Sequence, residues 1–234
     1  MRSVALTDVG LKRENNEDYF VICEAMNLYL VADGMGGYHA GEIASEIASK
    51  TIVSALEAYE DFQFERDIHE VLVKANEAIL EYVLHNPDCR GMGTTVVLVY
   101  ITDQDIWVAN VGDSRCYGLD DNGLIQLSED HSLVAELVKI GSISAEEAAT
   151  HPDRNVVTSA LGVDRRFEVF YKNFNRSAFK RLLLCSDGMS NMVDKLELEQ
   201  LAKMDDFESI PQKMIDTANN HGGRDNITVV CIEI

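Results

Sequence analysis

Residues 94–119 read TTVVLVYITDQDIWVANVGDSRCYGL, a succession of three apolar runs of strand length separated by short polar turns. The runs are Thr94–Ile101, Asp105–Val111 and Arg115–Leu119. Their β-branched and aromatic residues are typical of strands. The pair Asn122-Gly123 follows at once and predicts a hairpin turn, because Asn-Gly tolerates positive φ angles. The centre of the chain is therefore predicted to form β-sheet.

The sequence on either side of this stretch alternates between strand and helix patterns. Apolar residues at helical spacing predict helices at about 41–62, 67–86, 132–139, 144–150, 195–203 and 211–220. Strands are predicted at 3–8, 19–24, 28–32, 181–185 and 228–234. This order of strands, helices and further strands predicts a layered α+β protein and not a regular βαβ repeat. No repeat or Pro-rich linker divides the chain, so we expect one domain over residues 1–234.

The charge balance of the chain is strongly acidic. Its 234 residues contain 40 Asp and Glu against 20 Lys and Arg, for a net charge of −20. Nucleic acids and anionic membrane surfaces favour positive charge, so we expect neither as a partner. No apolar run approaches the roughly 18 residues that a membrane helix needs. The start of the chain lacks the apolar region of a signal peptide.

The five cysteines are an odd number, widely spaced and without a CxxC pair. This pattern favours reduced, mostly buried thiols over a disulfide framework, so we expect a cytoplasmic protein. The sequence contains no dimerisation signal, and we expect a monomer. None of the cysteines has an arginine six positions later, which excludes the phosphate-binding loop of cysteine phosphatases.

Four aspartates lie at the ends of predicted strands or in the adjacent turns, with glycine beside or just before each. They are Asp33, Asp113, Asp187 and Asp225. A single Asp-Gly pair is more often an ordinary turn. Four in one chain, without a histidine cluster, favour oxygen ligands for Mg²⁺ or Mn²⁺ over a zinc or copper site.

The segment 13–18, RENNED, has two interpretations. It is either a solvated charged turn, with Arg13 and Glu17 paired at i, i+4, or part of a site. In the second interpretation Glu17 and Asp18 ligate or support a metal ion, and Arg13 binds phosphate. The planar guanidinium suits phosphate because it bonds two oxygens at once.

These motifs, taken in order, resemble the metal-dependent PP2C (PPM) serine/threonine protein phosphatases in their compact bacterial form. The resemblance covers nearly the whole chain. The matching segments are 7–10 with Arg13 and 16–18, 31–37, 91–95, 109–115, 130–132, 155–158 with 160–162, 186–188 and 224–228.

The resemblance implies a four-layer α/β/β/α sandwich, with two central antiparallel sheets flanked by helices. It also implies a flap, a mobile element beside the active site, at about 139–158. Two ions, Mn²⁺ or Mg²⁺, would bind at the strand ends, and bacterial members often show a third. The implied roles are Asp33 bridging two ions, the Gly34 carbonyl on one of them, Asp187 and Asp225 on the second, Glu17 binding directly or through water, Asp113 with Asp187 on the third, and Arg13 on the substrate phosphate.

The implied reaction is hydrolysis of phosphoserine or phosphothreonine on proteins by a water or hydroxide held between the ions. Such an enzyme would oppose a Ser/Thr protein kinase, which the resemblance implies as one partner. The main alternatives are a pseudophosphatase that only binds and a phosphatase for small phosphate esters. Degenerate members would be expected to lose metal aspartates, so the presence of Asp33, Asp187 and Asp225 favours the enzyme.

Two residues depart from the family pattern. Met35 stands where some members have a histidine proposed to protonate the leaving group, and methionine cannot donate that proton. His39 lies four residues on, but we favour a surface role for it and expect a metal-bound water as the donor. Asn191 stands where many relatives have a carboxylate, four residues after Asp187.

Three further polar residues lie in or near the matching motifs. His151 and Arg154, in the predicted flap, are interpreted as surface residues in preference to substrate contacts. His131 is interpreted as structural.

Overall fold

The computed structural model describes residues 1–37 and 40–234. Within these ranges the strands are β1 Arg2–Asp8, β2 Asp18–Cys23, β3 Leu28–Met35, β4 Gly93–Thr94, β5 Val96–Ile101, β6 Asp105–Val111, β7 Arg115–Leu119, β8 Leu124–Gln126, β9 Phe170–Asn175, β10 Arg181–Cys185 and β11 Ile227–Glu233. The helices are α1 Ala40–Glu57, α2 Phe64–His85, α3 Leu133–Lys139, α4 Ala145–Thr150, α5 Asp187–Ser190, α6 Lys195–Ala202 and α7 Ile210–Asn220.

The strands form two antiparallel sheets. The first has the order β1-β11-β10-β7-β8, and the second has the order β2-β3-β5-β6-β9 with β4 paired to β3. Most pairs join segments that are far apart in sequence, such as β1 with β11. The predicted hairpin at Asn122-Gly123 is confirmed, because it connects β7 to β8.

The central strands of each sheet are buried on both faces, which produces the four layers. In β3, Leu28, Leu30 and Ala32 pack against α1 and α2, whereas Tyr29 and Val31 face the other sheet. The same alternation in β10 directs Leu182 and Leu184 between the sheets and Leu183 and Cys185 toward the helices α6 and α7. The predicted α/β/β/α sandwich is confirmed.

The element boundaries differ from the sequence predictions in a few places. Helix α1 ends at Glu57 and not near 62, while α2 begins at Phe64. The Asp67 carboxylate accepts a hydrogen bond from the Gln63 backbone N–H at 2.8 Å, so this side chain caps the helix start. The run 94–101 is divided between β4 and β5, because Thr94 pairs with β3 and Leu161 while Val96 pairs with β6.

Strands β8 and β9 were not predicted from the sequence. Both lie at sheet edges, and most residues of β9 are exposed. An edge strand buries little apolar surface, so its sequence shows little hydrophobic alternation.

The segment from α3 through α4 lies on the sandwich without burying any of its helical residues. Local bonds define its helices: Ser144 and Glu147 form a reciprocal capping box at the start of α4. At its base, the Leu133 N–H donates to the Val156 carbonyl and the Thr158 N–H to the His131 carbonyl, both at 2.9 Å.

All five cysteines are free thiols, and Cys116, Cys185 and Cys231 are buried. Burial raises the pKa of each of these three thiols, so they are un-ionised core residues. The helices of the described ranges include none that is both long and apolar enough to cross a membrane.

Candidate active site

Two carboxylates face each other across the β2–β3 pair at one end of the sandwich. The register places Asp18 directly opposite Asp33, so both side chains point to the same face of the sheet. Burial, followed by the charges of Asp187 and Asp225, raises the pKa of Asp18 to about 7. Burial and then the charge of Asp18 raise the pKa of Asp33 well above its ordinary value. Like charges opposite each other are destabilising unless something neutralises them.

A third carboxylate reaches this position from the other sheet. Asp187 is the first residue of α5, immediately after Ser186 at the end of β10, and its charge contributes to raising the pKa of Asp33. The Ser186 hydroxyl donates to Asp18 Oδ2 at 2.7 Å and accepts from the Thr228 N–H at 3.0 Å. This buried serine therefore joins the two sheets at the carboxylate cluster.

Asp113 lies in the turn between β6 and β7 and is buried. Burial, then the charge of Asp187, raises the pKa of Asp113 to about 7. Gly112 precedes it with φ at +103°, and a Cβ at this position would lie 2.5 Å from Thr95 Cγ2. The position thus requires glycine both for its backbone angle and for its close approach to β4–β5.

His131 determines where this turn lies. The His131 ring nitrogen Nδ1 accepts a hydrogen bond from the Gly112 N–H at 3.1 Å. The backbone N–H of His131 donates to the Gly112 carbonyl at 2.9 Å. Burial lowers the pKa of His131, which favours the neutral ring with a free acceptor nitrogen. The structural role predicted for this residue is confirmed.

Arg13 and Asp225 pair at the open side of the cluster. Arg13 Nη2 donates to Asp225 Oδ2 at 2.7 Å, and the Arg13 side chain is 51% exposed. This hydrogen bond raises the pKa of Arg13, with Glu17 and Asp33 adding smaller effects. The ion pair of Arg13 with Asp225 joins residues that are 212 positions apart in the sequence.

Asn226 positions the loop that contains Arg13 and Glu17. Its Oδ1 accepts from the Glu17 N–H at 2.8 Å, and its Nδ2 donates to the carbonyls of Val9 at 3.0 Å and Asn15 at 2.8 Å. The side chain is buried. Sequence reasoning included this residue in a motif but assigned it no role, because its partners lie at the other end of the chain.

Glu17 and Gly34 meet at the start of α1. The Gly34 N–H donates to the Glu17 carbonyl at 3.1 Å. A Cβ on Gly34 would lie 2.1 Å from the Gly41 carbonyl oxygen, and a Cβ on Gly41 would lie 2.7 Å from the Glu17 carboxyl carbon. Close packing of β3 on α1 therefore requires both glycines. Gly41 was not predicted, since only this long-range contact distinguishes it from any helical glycine.

The predicted site residues all lie at this end of the sandwich: Arg13, Glu17, Asp33, Gly34, Asp113, Asp187 and Asp225. Apart from Arg13, each was predicted as a metal ligand through an oxygen atom, and oxygen ligands suit hard divalent cations such as Mg²⁺ and Mn²⁺. Asp18 Oδ1 is buried without a hydrogen-bond partner, which also fits a site that accepts cationic or water ligands. In the described part of the chain, no three His, Cys, Asp or Glu side chains already have a metal-binding arrangement.

The structure describes two of the three residues discussed as departures from the family pattern, Met35 and Asn191. Met35 is the last residue of β3, next to the cluster in sequence. His39 lies outside the described residues. Asn191 Nδ2 donates to Asp187 Oδ2 at 3.0 Å, so an amide occupies the position where a carboxylate was expected from relatives.

Comparison with known proteins agrees with this fold and this arrangement of residues. The family model of Protein phosphatase 2C matches residues 12–229. The serine/threonine phosphatase stp of Listeria welshimeri is 41% identical, over 97% of this chain and 93% of that protein. The crystal structure of the Mycobacterium tuberculosis serine/threonine phosphatase PstP/Ppp is 33% identical with a TM-score of 0.89, and the match covers 100% of this chain and 98% of that one.

A further solved structure contains metal. It is the catalytic domain of the phosphatase PstP in complex with two manganese ions, 31% identical with a TM-score of 0.88, covering 99% of this chain and 97% of that one. The chain belongs to the protein phosphatase 2C family. It is a serine/threonine phosphatase.

Proposed function

We propose that the protein is a metal-dependent phosphatase that hydrolyses phosphoserine and phosphothreonine on proteins and opposes a Ser/Thr protein kinase. The observation that carries the metal requirement is the carboxylate cluster, in which Asp18 lies opposite buried Asp33 and the charges of Asp18 and Asp187 raise the pKa of Asp33. Charges so close together are costly to bury unless cations neutralise them. The two manganese ions in the related PstP structure support this proposal.

The proposed cofactors are two divalent ions, Mn²⁺ or Mg²⁺, and the site also has carboxylates for a third where one binds. The residues that would hold them are Asp33 and the Gly34 carbonyl, Asp187, Asp225, Glu17 directly or through water, and Asp113 with Asp187 for the third ion. When bound, these ions supply an activated water as nucleophile and offset negative charge on the phosphoryl oxygens. The carboxylates keep the ions in place, and the buried hydrogen bonds of Ser186 and Asn226 keep the carboxylates and the Arg13 loop in place.

Arg13 is proposed to bind the substrate phosphate. A guanidinium has five N–H donors, so the bond to Asp225 leaves others for phosphate oxygens. That bond also limits the rotamers of a half-exposed side chain, which lowers the entropy cost of binding. The Asp225 carboxylate would therefore contact both Arg13 and a metal ion.

The proposal also includes a location, a flap and an oligomeric state. All five thiols are free, as in proteins of reducing compartments, which supports the cytoplasm as the location. The segment 139–158 is proposed as the flap because its helices bury no residue. The monomeric state stays a prediction.

The test of the proposed function measures phosphate release from a phosphothreonine peptide and from p-nitrophenyl phosphate, with Mn²⁺, Mg²⁺ or EDTA. We expect metal-dependent turnover of the peptide that EDTA abolishes. Turnover of the small ester alone would favour an enzyme for small esters. A folded protein without turnover in any metal would be a pseudophosphatase.

Arg13→Ala tests the phosphate-binding role. We expect kcat/KM for the peptide to fall about 10- to 100-fold, as for the loss of a charge-assisted hydrogen bond, chiefly through KM. Mn²⁺ binding, measured by titration calorimetry, should be unchanged or tighter because Asp225 loses its partner. Arg13→Lys is the matched control, since it keeps the charge without the planar group. Loss of Mn²⁺ binding in Arg13→Ala would contradict the assigned role.

A further inference from the structure

Helix α7 ends beside the pair formed by Arg13 and Asp225. The helix has 11 residues and buries five of them, so it is firmly packed against the first sheet. Asn219 is its second-last residue. Side chains on a packed helix hold their positions better than those on loops. The end of α7 is therefore a fixed point for the two loops that follow β1 and α7.

One connection leads from this helix end to Asp225. The Gly222 N–H donates to the Asn219 carbonyl at 3.0 Å. The Gly223 N–H donates to the Ala218 carbonyl at 3.1 Å, and the two bonds together form the Schellman motif that commonly ends a helix. A Cβ on Gly223 would lie 2.3 Å from Asn219 Oδ1, so the asparagine side chain packs directly on the loop 221–226. The direction in which this loop carries Asp225 is thus set by α7.

Asp8 makes a second connection from the helix end, toward Arg13. It is the last residue of β1, and its Oδ1 accepts two hydrogen bonds. One comes from Asn219 Nδ2 at 3.1 Å and the other from the Gly10 N–H at 2.8 Å. Sequence reasoning assigned Asp8 no role, because Asn219 lies 211 positions away. The carboxylate therefore links α7 to the start of the loop 9–17, which contains Arg13.

The loop 9–17 then crosses the loop 221–226 at very short range. Gly10 has φ at +76°, and a Cβ on it would lie 2.1 Å from the Asp225 carbonyl oxygen. The Leu11 N–H donates to the Gly223 carbonyl at 2.7 Å. Two residues further on, Arg13 Nη2 reaches Asp225 Oδ2 at 2.7 Å. Both members of this pair are thus placed from the same point, the end of α7.

The position of Arg13 depends on its backbone, because the half-exposed side chain is held by few packing contacts. A displacement of about 1 Å in a group that positions substrate can reduce the rate about 100-fold. Asn226 also bonds the loop 9–17, but it lies in the loop 221–226 itself. Asp8 and Asn219 differ from it because they connect the loop 9–17 to a helix.

We propose that Asp8 and Asn219 are positioning residues of the phosphatase: their hydrogen bond fixes the loop 9–17 on helix α7 so that Arg13 meets the substrate phosphate. The assignment rests on the proposed function, in which Arg13 binds phosphate, and adds two residues that touch neither the substrate nor a metal ion. Asp8 acts as a hydrogen-bond acceptor and not through its charge. An asparagine at this position keeps an Oδ1 acceptor for both donors.

Asp8→Ala and Asn219→Ala test this connection with the phosphothreonine peptide and Mn²⁺. Each should lower kcat/KM about tenfold, as for the loss of a hydrogen bond to a charged group, and chiefly through KM. Binding of inorganic phosphate to the Mn²⁺-loaded protein, measured by titration calorimetry, should weaken by a similar factor. Mn²⁺ binding should be unchanged. Asp8→Asn should be within about twofold of the unmodified protein, because the acceptor remains.

A double-mutant cycle with Arg13→Ala shows whether the two residues act through Arg13. When Arg13 is already absent, Asp8→Ala should change kcat/KM by less than about twofold, because the group it positions is missing. Losses that multiply in the double variant would overturn the proposal. So would an Asp8→Asn protein as impaired as Asp8→Ala, since that result would assign the effect to charge. A parallel loss of Mn²⁺ binding would assign it to the metal site and overturn the proposal as well.

Asp216→Ala is the matched control on the same helix. Asp216 Oδ1 accepts from Gln212 Nε2 at 2.8 Å, so this variant also breaks an amide–carboxylate bond of α7, but at an exposed position. It should leave kcat/KM and phosphate binding unchanged.

Urea unfolding checks that each variant folds. Asn219→Ala keeps the bond from Gly10 to Asp8, and it replaces Asp8→Ala in the cycle if Asp8→Ala is unfolded. Unchanged kinetics in Asp8→Ala and Asn219→Ala would overturn the proposal. Absence of turnover in the unmodified protein with every metal would instead overturn the phosphatase function itself.

Discussion

The α1–α2 hairpin and the α3–α4 hairpin both lie on the outside of the sandwich, but they are stabilised in different ways. Helices α1 and α2 each bury eight residues against the second sheet, whereas α3 and α4 bury none. Helices α3 and α4 each begin with a serine whose side chain accepts a backbone N–H, while at the start of α2 the Asp67 side chain accepts the Gln63 N–H. Burial therefore stabilises the first hairpin more than the second, and we expect the second to open at a lower free-energy cost than global unfolding.

Buried polar residues also join each hairpin to segments near the active-site end; in α1, the Ser45 hydroxyl donates to the Glu17 carbonyl at 2.7 Å. Asn76 of α2 accepts from the Gly162 N–H at 2.7 Å and donates to the Asp164 carbonyl at 3.0 Å. His131, just before α3, binds the Gly112 turn on one side and Thr158 on the other. The hairpins thus differ in packing and are similar in how they reach the carboxylate cluster.

The largest expected effect concerns the packed hairpin. Leu72→Ala in α2 removes a side chain that is 1% exposed, and we expect a loss of about 2–5 kcal/mol in the free energy of unfolding. Ile140→Ala, at the end of α3, is the control, since that side chain is 73% exposed and should change stability by less than about 0.5 kcal/mol. Urea unfolding measures both. Equal losses would contradict the difference between the hairpins.

Asn76→Ala tests the polar connection of α2. The substitution leaves the buried Gly162 N–H without its partner, which costs about 1–3 kcal/mol, and also removes the bond to the carbonyl of the exposed residue Asp164. Asn173→Ala on the exposed edge strand β9 is the matched control and should be within about 0.5 kcal/mol of the unmodified protein. A neutral result for Asn76→Ala in urea unfolding would show that this connection is dispensable.

His131 makes the connection of the α3–α4 hairpin dependent on pH. Burial lowers its folded-state pKa, opposed by the charges of Glu168, Glu129 and Asp130 and assisted by that of Lys139. The unfolded chain therefore binds the proton first as pH falls, and stability present above the ordinary pKa of about 6.5 is lost below it. We expect the unmodified protein to lose more stability than His131→Asn between pH 7.5 and 5.5.

The comparison with His131→Asn isolates this histidine, because asparagine keeps an acceptor without titrating. The carboxylates with raised pKa values, such as Asp18, act in both proteins and cancel in the difference. Urea unfolding midpoints at both pH values measure the effect. The same loss of stability between pH 7.5 and 5.5 in the two proteins would contradict it.

The smallest expected effect is Ser144→Ala. Loss of the capping box should destabilise α4 by about 1 kcal/mol while global unfolding is unchanged. Hydrogen exchange of the α4 amides measures the local change, and faster exchange is expected there alone. Ser142→Ala, an exposed serine outside the cap, should leave exchange as it is. A shift in the global urea midpoint would show that α4 is coupled to the core.

The sequence predicted the parts of this molecule whose signal is local. Strand β10 was predicted at residues 181–185 because its apolar run is continuous, and α4 because Ser144 and Glu147 form a capping pattern. Strand β9 was missed because its one pairing, with β6, is not visible in an exposed edge sequence. Aspartates at strand ends identified the candidate site, since glycine and a strand end recur at each of them.

Other parts of the site became visible only in the folded chain. Asn226 reaches Glu17 across 209 residues, and Gly41 is distinguished only by the carboxyl group of Glu17 packed on it. A cleft beside the predicted flap is lined by residues as far apart in sequence as Asp113, Ala145 and Asn191, which no local pattern connects. Hydrophobic periodicity and turn residues predict the secondary structure of a segment from residues that are close in sequence. Which distant segments meet depends on strand register and layer packing, and these are properties of the whole chain.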